Sequence, residues 1–306
     1  MNRTIVLMIL AFLVGAACFA AARKTTAAET KGAAASAGFE QERVQEQQHL
    51  QRMAAEHRHD SPAASPAATT EPAQPVSGSE VTYGTQGGKP LRGYLAHPNS
   101  AKNEMPAIVV IHEWWGLNDN IRAMARRLAG EGYAALAVEL YGGATADNPD
   151  AAMKLMNTAM QNKAAAEENL RLAVQHLKQH GATRIGVIGW CFGGGWSLAT
   201  ALAFPDDIAA AVMYYGRPIA DRDQLGRLRA PLLGFFGADD KSIPVAGVHE
   251  MESALKQLGK NVEIQVYEGA GHAFANPSGT NYRAAAADDA WKRTVAFFKE
   301  KLQRPA

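Results

Sequence analysis

Six short apolar runs, each followed by a turn and most by a helix-patterned stretch, constrain this chain more than any other feature of its sequence. The runs are "AIVVIHE" (107–113), "AALAVEL" (134–140), "RIGVIGW" (184–190), "AAAVMYYG" (209–216), "PLLGFFG" (231–237) and "VEIQVYEG" (262–269). Their length and near-continuous apolarity suit strands buried on both faces of a parallel sheet. Between them, a helix is expected from Asn118 with Ile121, Met124 and Leu128 on one face, and a long Ala-rich helix from about 150 to 180. A third, "PVAGVHEMESALKQL", has Pro244 suited to its first helical position, and a last one carries Trp291, Val295, Phe298 and Leu302 in one stripe. Strands alternating with helices of this length require right-handed crossovers. The expected fold class is therefore α/β, a mainly parallel central sheet with helices on both faces. "VTYGTQGGKPLRGYLAHP" reads as an antiparallel edge hairpin turning at Gly87 and Gly88.

The first 79 residues have a different character. Residues 1–22 join Arg3 to an unbroken apolar run that closes on Ala20, Ala21 and Ala22, the layout of a secretory signal peptide. An uncleaved membrane anchor is the alternative, since about 18 apolar residues can span a bilayer. The expected location is accordingly exported, periplasmic or secreted, with membrane contact only if this segment is retained. Residues 23–79 are rich in Ala, Glu, Gln, Ser and Pro and read as a disordered linker, because they cannot bury enough apolar surface to offset their ordering entropy. "EQERVQEQQHLQRMAAEHRH" holds good helix formers without a clear apolar face, so His57 and His59 are expected as solvated residues rather than metal ligands. Residues 80–306 suffice for one sizeable core.

The chain carries 31 Lys and Arg against 30 Asp and Glu, a formal net charge of +1, and no basic block interleaved with aromatics. Nucleic acid is thereby excluded as an expected partner. Only two cysteines are present, Cys18 and Cys191. Loss of the signal would leave a single thiol that cannot form an internal disulfide.

Cys191 stands in "GVIGWCFGGGWSLATALA", where an apolar strand pattern turns into a helix pattern. Gly189 and Gly193 flank it as G-x-C-x-G, the spacing of the G-x-S-x-G nucleophile elbow with sulfur in place of oxygen. Small flanking residues are needed where helix and strand pass so closely, and the helix N-terminus favours a thiolate. The glycines match neither a dinucleotide fingerprint nor a phosphate loop. A nucleophile needs a base and the base an orienting acid. Asp239 and Asp240 follow the strand "PLLGFFG", and His272 follows "VEIQVYEG", giving the order nucleophile, acid, histidine. "HEWWG" lacks the second histidine of an H-E-x-x-H zinc helix.

"MPAIVVIHEWWGLN", "GYAALAVELY", "GWCFGG", "GADDKSIP" and "YEGAGHAFAN" together resemble the dienelactone hydrolase, or carboxymethylenebutenolidase, family over residues 80–306. The resemblance implies an α/β-hydrolase fold and an ester or lactone hydrolase with a Cys-His-Asp triad. Carried over by motif, the nucleophile is Cys191, the histidine His272 and the acid Asp240, with Asp239 the neighbouring alternative. Glu113 matches the family carboxylate that takes part in switching the thiol to thiolate. The oxyanion hole is expected from the backbone N–H groups of Trp114 and Phe192, and Trp114 and Trp115 are expected in the pocket wall or in core packing. Where dienelactone-cleaving enzymes place a carboxylate-binding arginine four residues beyond the histidine, this chain has Asn276, a pocket candidate. Lys154 or Arg283 are candidate substitutes for the missing arginines. The expected partner is a small-molecule ester or lactone, with no metal and no organic cofactor. A redox-responsive thiol protein and a non-catalytic binding module on the same fold are the alternative readings.

Overall fold

The computed structural model describes residues 44, 48–60, 62, 70–101 and 104–303. The chain divides into two compact units, Met1–Gln51 and Arg52–Ala306. Of the first unit only helical residues at 44 and 48–51 are described, so the expected signal peptide lies outside the described residues. The second unit opens on a last helical turn, α1 (residues 52–56), followed by a turn that ends at Asp60. Residues 52–60 were expected to belong to a disordered linker, and instead they are folded, with Met53, His57 and Asp60 buried.

The edge hairpin comprises β1 (Val76–Gln86) and β2 (Lys89–Pro98), so the first strand starts within the expected linker. Gln86 pairs with Lys89 across a two-residue turn, and Gly87 and Gly88 have φ of 55° and 76°. Positive φ at both positions is the backbone of a primed hairpin turn, which only small residues adopt without strain.

The remaining elements alternate as the sequence pattern requires. They are β3 (Met105–Ile111), α2 (Asp119–Gly130), β4 (Ala134–Val138), α3 (Pro149–Gln161), α4 (Lys163–Gln179), β5 (Ala182–Trp190) and α5 (Phe192–Ala203), then β6 (Ile208–Tyr214), α6 (Arg222–Gly226), β7 (Leu232–Gly237), α7 (Val245–Gln257), β8 (Val262–Tyr267) and α8 (Ala284–Leu302). The eight-stranded sheet runs β1-β2-β4-β3-β5-β6-β7-β8, with β1, β2 and β4 joined antiparallel and every other pair parallel. Helices cover both faces. A Cβ on Gly186 would lie 2.8 Å from Leu302 of α8, whereas one on Gly189, on the opposite face of β5, would run into Gly193 of α5.

Three local expectations differ. The long Ala-rich helix is two helices, because Asn162 leaves helical backbone (φ −121°, ψ 54°) and ends α3 as it begins α4. Asparagine competes for backbone hydrogen bonds and is a poor interior helix residue. Pro244 caps α7 from just outside rather than occupying its first turn. The buried stripe of α8 is Ala290, Thr294, Phe297, Phe298 and Leu302. Trp291 turns aside to stack under the Arg127 guanidinium of α2, 3.9 Å from its ring centroid, and Thr294 takes the inward position to meet the Tyr214 hydroxyl at 2.7 Å. Among the described residues no helix is long and apolar enough to cross a membrane.

The chain leaves β3 toward β4 on one side and later returns to β5 on the other, so the strand order reverses between β3 and β5. The carboxyl ends of strands at such a switch point form the natural crevice of an open α/β sheet. Ile111 pairs with Gly189 there, and Glu113 and Cys191, each two residues farther on, emerge side by side.

Candidate active site

Cys191 occupies the turn between β5 and α5 with φ 54° and ψ −117°. That backbone region is costly for a residue with a Cβ and persists only where the surroundings fix it. They do so through close approach of backbones. A Cβ on Gly193 would lie 2.5 Å from the His112 carbonyl oxygen and clash with that of Ile111, and one on Gly194 would clash with the Tyr214 carbonyl. Cys191 N–H donates to the Tyr214 carbonyl at 3.0 Å. Phe192 opens α5, so its N–H is one of the first-turn donors that a helix leaves without an internal acceptor. Two other non-glycine residues with positive φ, Tyr215 and Ala273, lie beside the same cysteine and histidine, as strain concentrated at a site would have it.

His272 and Asp240 meet at 2.7 Å, Nδ1 to Oδ2, with both side chains fully buried. The second carboxylate oxygen accepts the N–H groups of Ser242 and Ile243, each at 2.8 Å, which locks the acid in place. Asp239 is exposed. Of the two candidate acids, Asp240 is therefore the one brought to the histidine. The other ring nitrogen, His272 Nε2, faces the sulfur of Cys191, the ligand atoms of His57, Cys191 and His272 all lying within 4.8 Å of one another. Burial alone would push the thiol up, but His272 and His57 beside it bring it down to about 6. Burial opposes protonation of His272 as well, and Asp240 and Cys191 overcome it and hold the imidazole well above its ordinary range.

Glu113 is buried at the end of β3, where Tyr215 donates to Oε1 at 3.2 Å and Asn276 Nδ2 donates to Oε2 at 2.7 Å. Burial, reinforced by the neighbouring sulfur, raises its carboxyl to about 7. His112 is a neutral core residue. Its Nδ1 donates to the Glu113 carbonyl, its Nε2 accepts from Leu140 N–H at 3.2 Å, and burial lowers it to about 4.

The folded N-terminal stretch supplies a residue that sequence reasoning assigned to solvent. His57 is 1% exposed and reaches the same sulfur, whereas His59 is exposed as expected. The His57 ring packs on Trp114 at a 31° tilt with centroids 4.5 Å apart and meets His272 edge to face at 5.2 Å. Nδ1 of His57 bonds Asp60 Oδ2 at 2.7 Å. The other Asp60 oxygen accepts Thr280 N–H at 2.7 Å and the Thr280 hydroxyl at 2.8 Å, and Glu56 accepts from Asn281 and from Lys241 N–H. Burial disfavours the charged ring, yet Asp60 and Cys191 raise His57 above its ordinary value. The available signal was Met53 four residues before His57 and Asp60 three after it, one helical face and its closing turn.

Trp114 and Trp115 are both fully buried and flank His57. Asn276 is buried and engaged with Glu113. The two candidate cationic substitutes are placed outward. Lys154 is exposed on α3, and Arg283 is exposed with its Nε donating to the Gly269 carbonyl at 3.1 Å.

A family model described as "Dienelactone hydrolase family" matches residues 91–302. The chain belongs to the dienelactone hydrolase family. It is 36% identical over 233 residues to Protein usf of Aquifex pyrophilus, covering 74% of this chain and 99% of that protein. It is 32% identical over 257 residues to the Escherichia coli protein named "Putative carboxymethylenebutenolidase", covering 78% and 94% of the two chains. The solved structure titled "Putative Dienelactone Hydrolase" from Klebsiella pneumoniae superposes with a TM-score of 0.67 at 31% identity, over 74% of this chain and all of that one. The fold is accordingly that of the α/β-hydrolases, and the family is one of hydrolases.

Proposed function

We propose that this dienelactone-hydrolase-family chain cleaves a small uncharged ester or lactone through Cys191 and a thioester acyl-enzyme. The observation that carries the reading is the Asp240–His272 pair at 2.7 Å, with the free ring nitrogen against the sulfur of a cysteine held in elbow geometry. The thiolate attacks the carbonyl carbon, and the N–H groups of Phe192 and Trp114 hold the oxyanion, a contribution of about 10²–10³ in rate per donor. As the intermediate collapses, His272 gives its proton to the leaving oxygen. It then takes one from water, which attacks the thioester and returns the sulfur as thiolate.

Support for an uncharged substrate comes from the position four residues past His272. Asn276 stands there and its amide is committed to Glu113, so it offers no bidentate clamp for a carboxylate. Cys191 is 3% and His272 0% exposed beneath His57, so residues 52–60 must swing aside before a carbonyl reaches the sulfur. Residues 1–22 are proposed to direct export, to be checked by fractionating cells that express the full chain.

The test is turnover of p-nitrophenyl acetate by the reduced full chain against Cys191→Ala at equal folded concentration. Loss of turnover in the variant is expected, and equal turnover in both removes Cys191 as the nucleophile. Comparing neutral with carboxylate-bearing lactones then tests the substrate class, a preference for the latter overturning it.

A further inference from the structure

We propose that His57, Cys191 and His272 form a binding site for a soft divalent cation of the zinc type, one that joins residues 52–60 to the cysteine and closes the site. Ligand atoms from the three residues all lie within 4.8 Å of one another, and all three residues are buried. Both Nδ1 atoms are already taken by carboxylates, Asp60 for His57 and Asp240 for His272. The ligand atoms are therefore the two Nε2 nitrogens, and both are buried without a hydrogen-bond partner.

The donor chemistry fits. Imidazole nitrogen and thiolate sulfur are the ligands that zinc-like ions prefer over carboxylate or water. Around a tetrahedral ion with ligands about 2.0–2.3 Å away, donor atoms sit roughly 3.3–3.8 Å apart, so the cluster has to contract by about 1 Å at its widest. Ligating histidines almost always bond a carboxylate or carbonyl through the other ring nitrogen, which fixes the tautomer and orients the ring. Here each histidine carries its own buried carboxylate, and each of those is held in turn: Asp60 by Thr280, Asp240 by the Ser242 and Ile243 amides. The catalytic reading calls for one such carboxylate–histidine pair, and the second has no part in it.

Space points the same way. With His57 seated, Cys191, His57 and His272 are 3%, 1% and 0% exposed, so the three donor atoms face one another out of contact with bulk solvent. On binding, the ion replaces the protons on the two Nε2 atoms, which pass to solvent, and the sulfur coordinates as the thiolate it already is. The three protein ligands leave one coordination position for water. Because His57 belongs to the N-terminal stretch while Cys191 and His272 belong to the strand ends, the ion ties the first to the second. The site itself stands independently of the hydrolase reading, and only its inhibitory effect rests on that reading.

Cobalt(II) is the probe, added to the reduced, metal-free full chain. The expected result is one ion per chain, with a sulfur-to-cobalt charge-transfer band, tetrahedral visible absorption, and displacement by zinc. Cys191→Ser should abolish the charge-transfer band. His57→Gln should weaken binding at least tenfold, and Asp60→Asn, which keeps the ligand and removes only its support, by about 10–100-fold. Absence of the band, or unchanged affinity in both His57→Gln and Asp60→Asn with the fold intact by circular dichroism, overturns the site. If cobalt binds but zinc leaves ester turnover unchanged, closure of the site by the ion is overturned. If no variant or ion changes turnover because none occurs, the hydrolase reading fails while the spectroscopic result still decides the metal site.

Discussion

His57 and His272 meet edge to face with ring centroids 5.2 Å apart, each bonded through Nδ1 to its own aspartate and each presenting Nε2 to the sulfur of Cys191. One aspartate–histidine pair follows from the family's elbow and strand ends. The other comes from the N-terminal stretch, and it changes how the thiol is reached and charged.

Replacing His57 with alanine removes both a lid and a cation. Opening the sulfur should raise kcat/KM for p-nitrophenyl acetate several-fold at pH 8. Loss of the neighbouring imidazolium should move the thiol upward from about 6, so the midpoint of the pH profile for iodoacetamide alkylation rises. An unchanged rate together with an unchanged midpoint would mean that His57 does not sit on the sulfur in solution.

Asp240→Asn keeps the shape of the site but reverses the hydrogen-bonding preference toward His272 Nδ1. By analogy with triads in general, turnover should fall by roughly 10³–10⁴ while substrate binding changes little. A loss of less than tenfold, with the thermal midpoint preserved, would take Asp240 out of the orienting role.

Glu113 sets a pH dependence of stability whose sign follows from its burial. Its carboxyl is raised from 4.5 to about 7 in the folded chain, so the fold holds a proton that the unfolded chain releases between those values. Stability is therefore lost as pH rises through that window. Glu113→Gln escapes the penalty, and urea unfolding should show it more stable than wild type by about 3 kcal/mol at pH 8, with the gap closing toward pH 4.5. A gap that widens on acidification would contradict the buried, proton-holding carboxyl.

Gly193→Ala should disrupt the elbow. Its Cβ would stand 2.5 Å from the His112 carbonyl oxygen, and that atom belongs to a central strand end that cannot yield. Destabilisation of about 1–3 kcal/mol or more is expected, with turnover lost in whatever folds. Gly226→Ala, where a Cβ meets nothing within 4 Å, is the matched control and should stay within about 1 kcal/mol. Equal thermal midpoints for the two variants would refute the close-approach reading.

The sequence by itself determined the alternation of buried strands and helices, the hairpin at Gly87 and Gly88, and the elbow around Cys191. It also placed Cys191, Asp240 and His272 each just past the end of a strand, in that order. Each of these rests on periodicity, turn chemistry or spacing within a few residues, and such local physics is written in the chain. Tertiary structure alone decided the rest. The choice of Asp240 over Asp239 depended on which carboxylate turned inward past β7, and the commitment of Asn276 to Glu113 depended on two loops far apart in the chain meeting at the strand ends. The burial of His57 depended on partners far along the chain, Trp114 and His272, being brought together at the strand ends. Met53 and His57 share one helical face, but in a polar, Ala-rich stretch that face carries too little apolar surface to announce such a destination. Its stability comes from partners, Trp114, Thr280 and Cys191, that exist as neighbours only once the fold is complete.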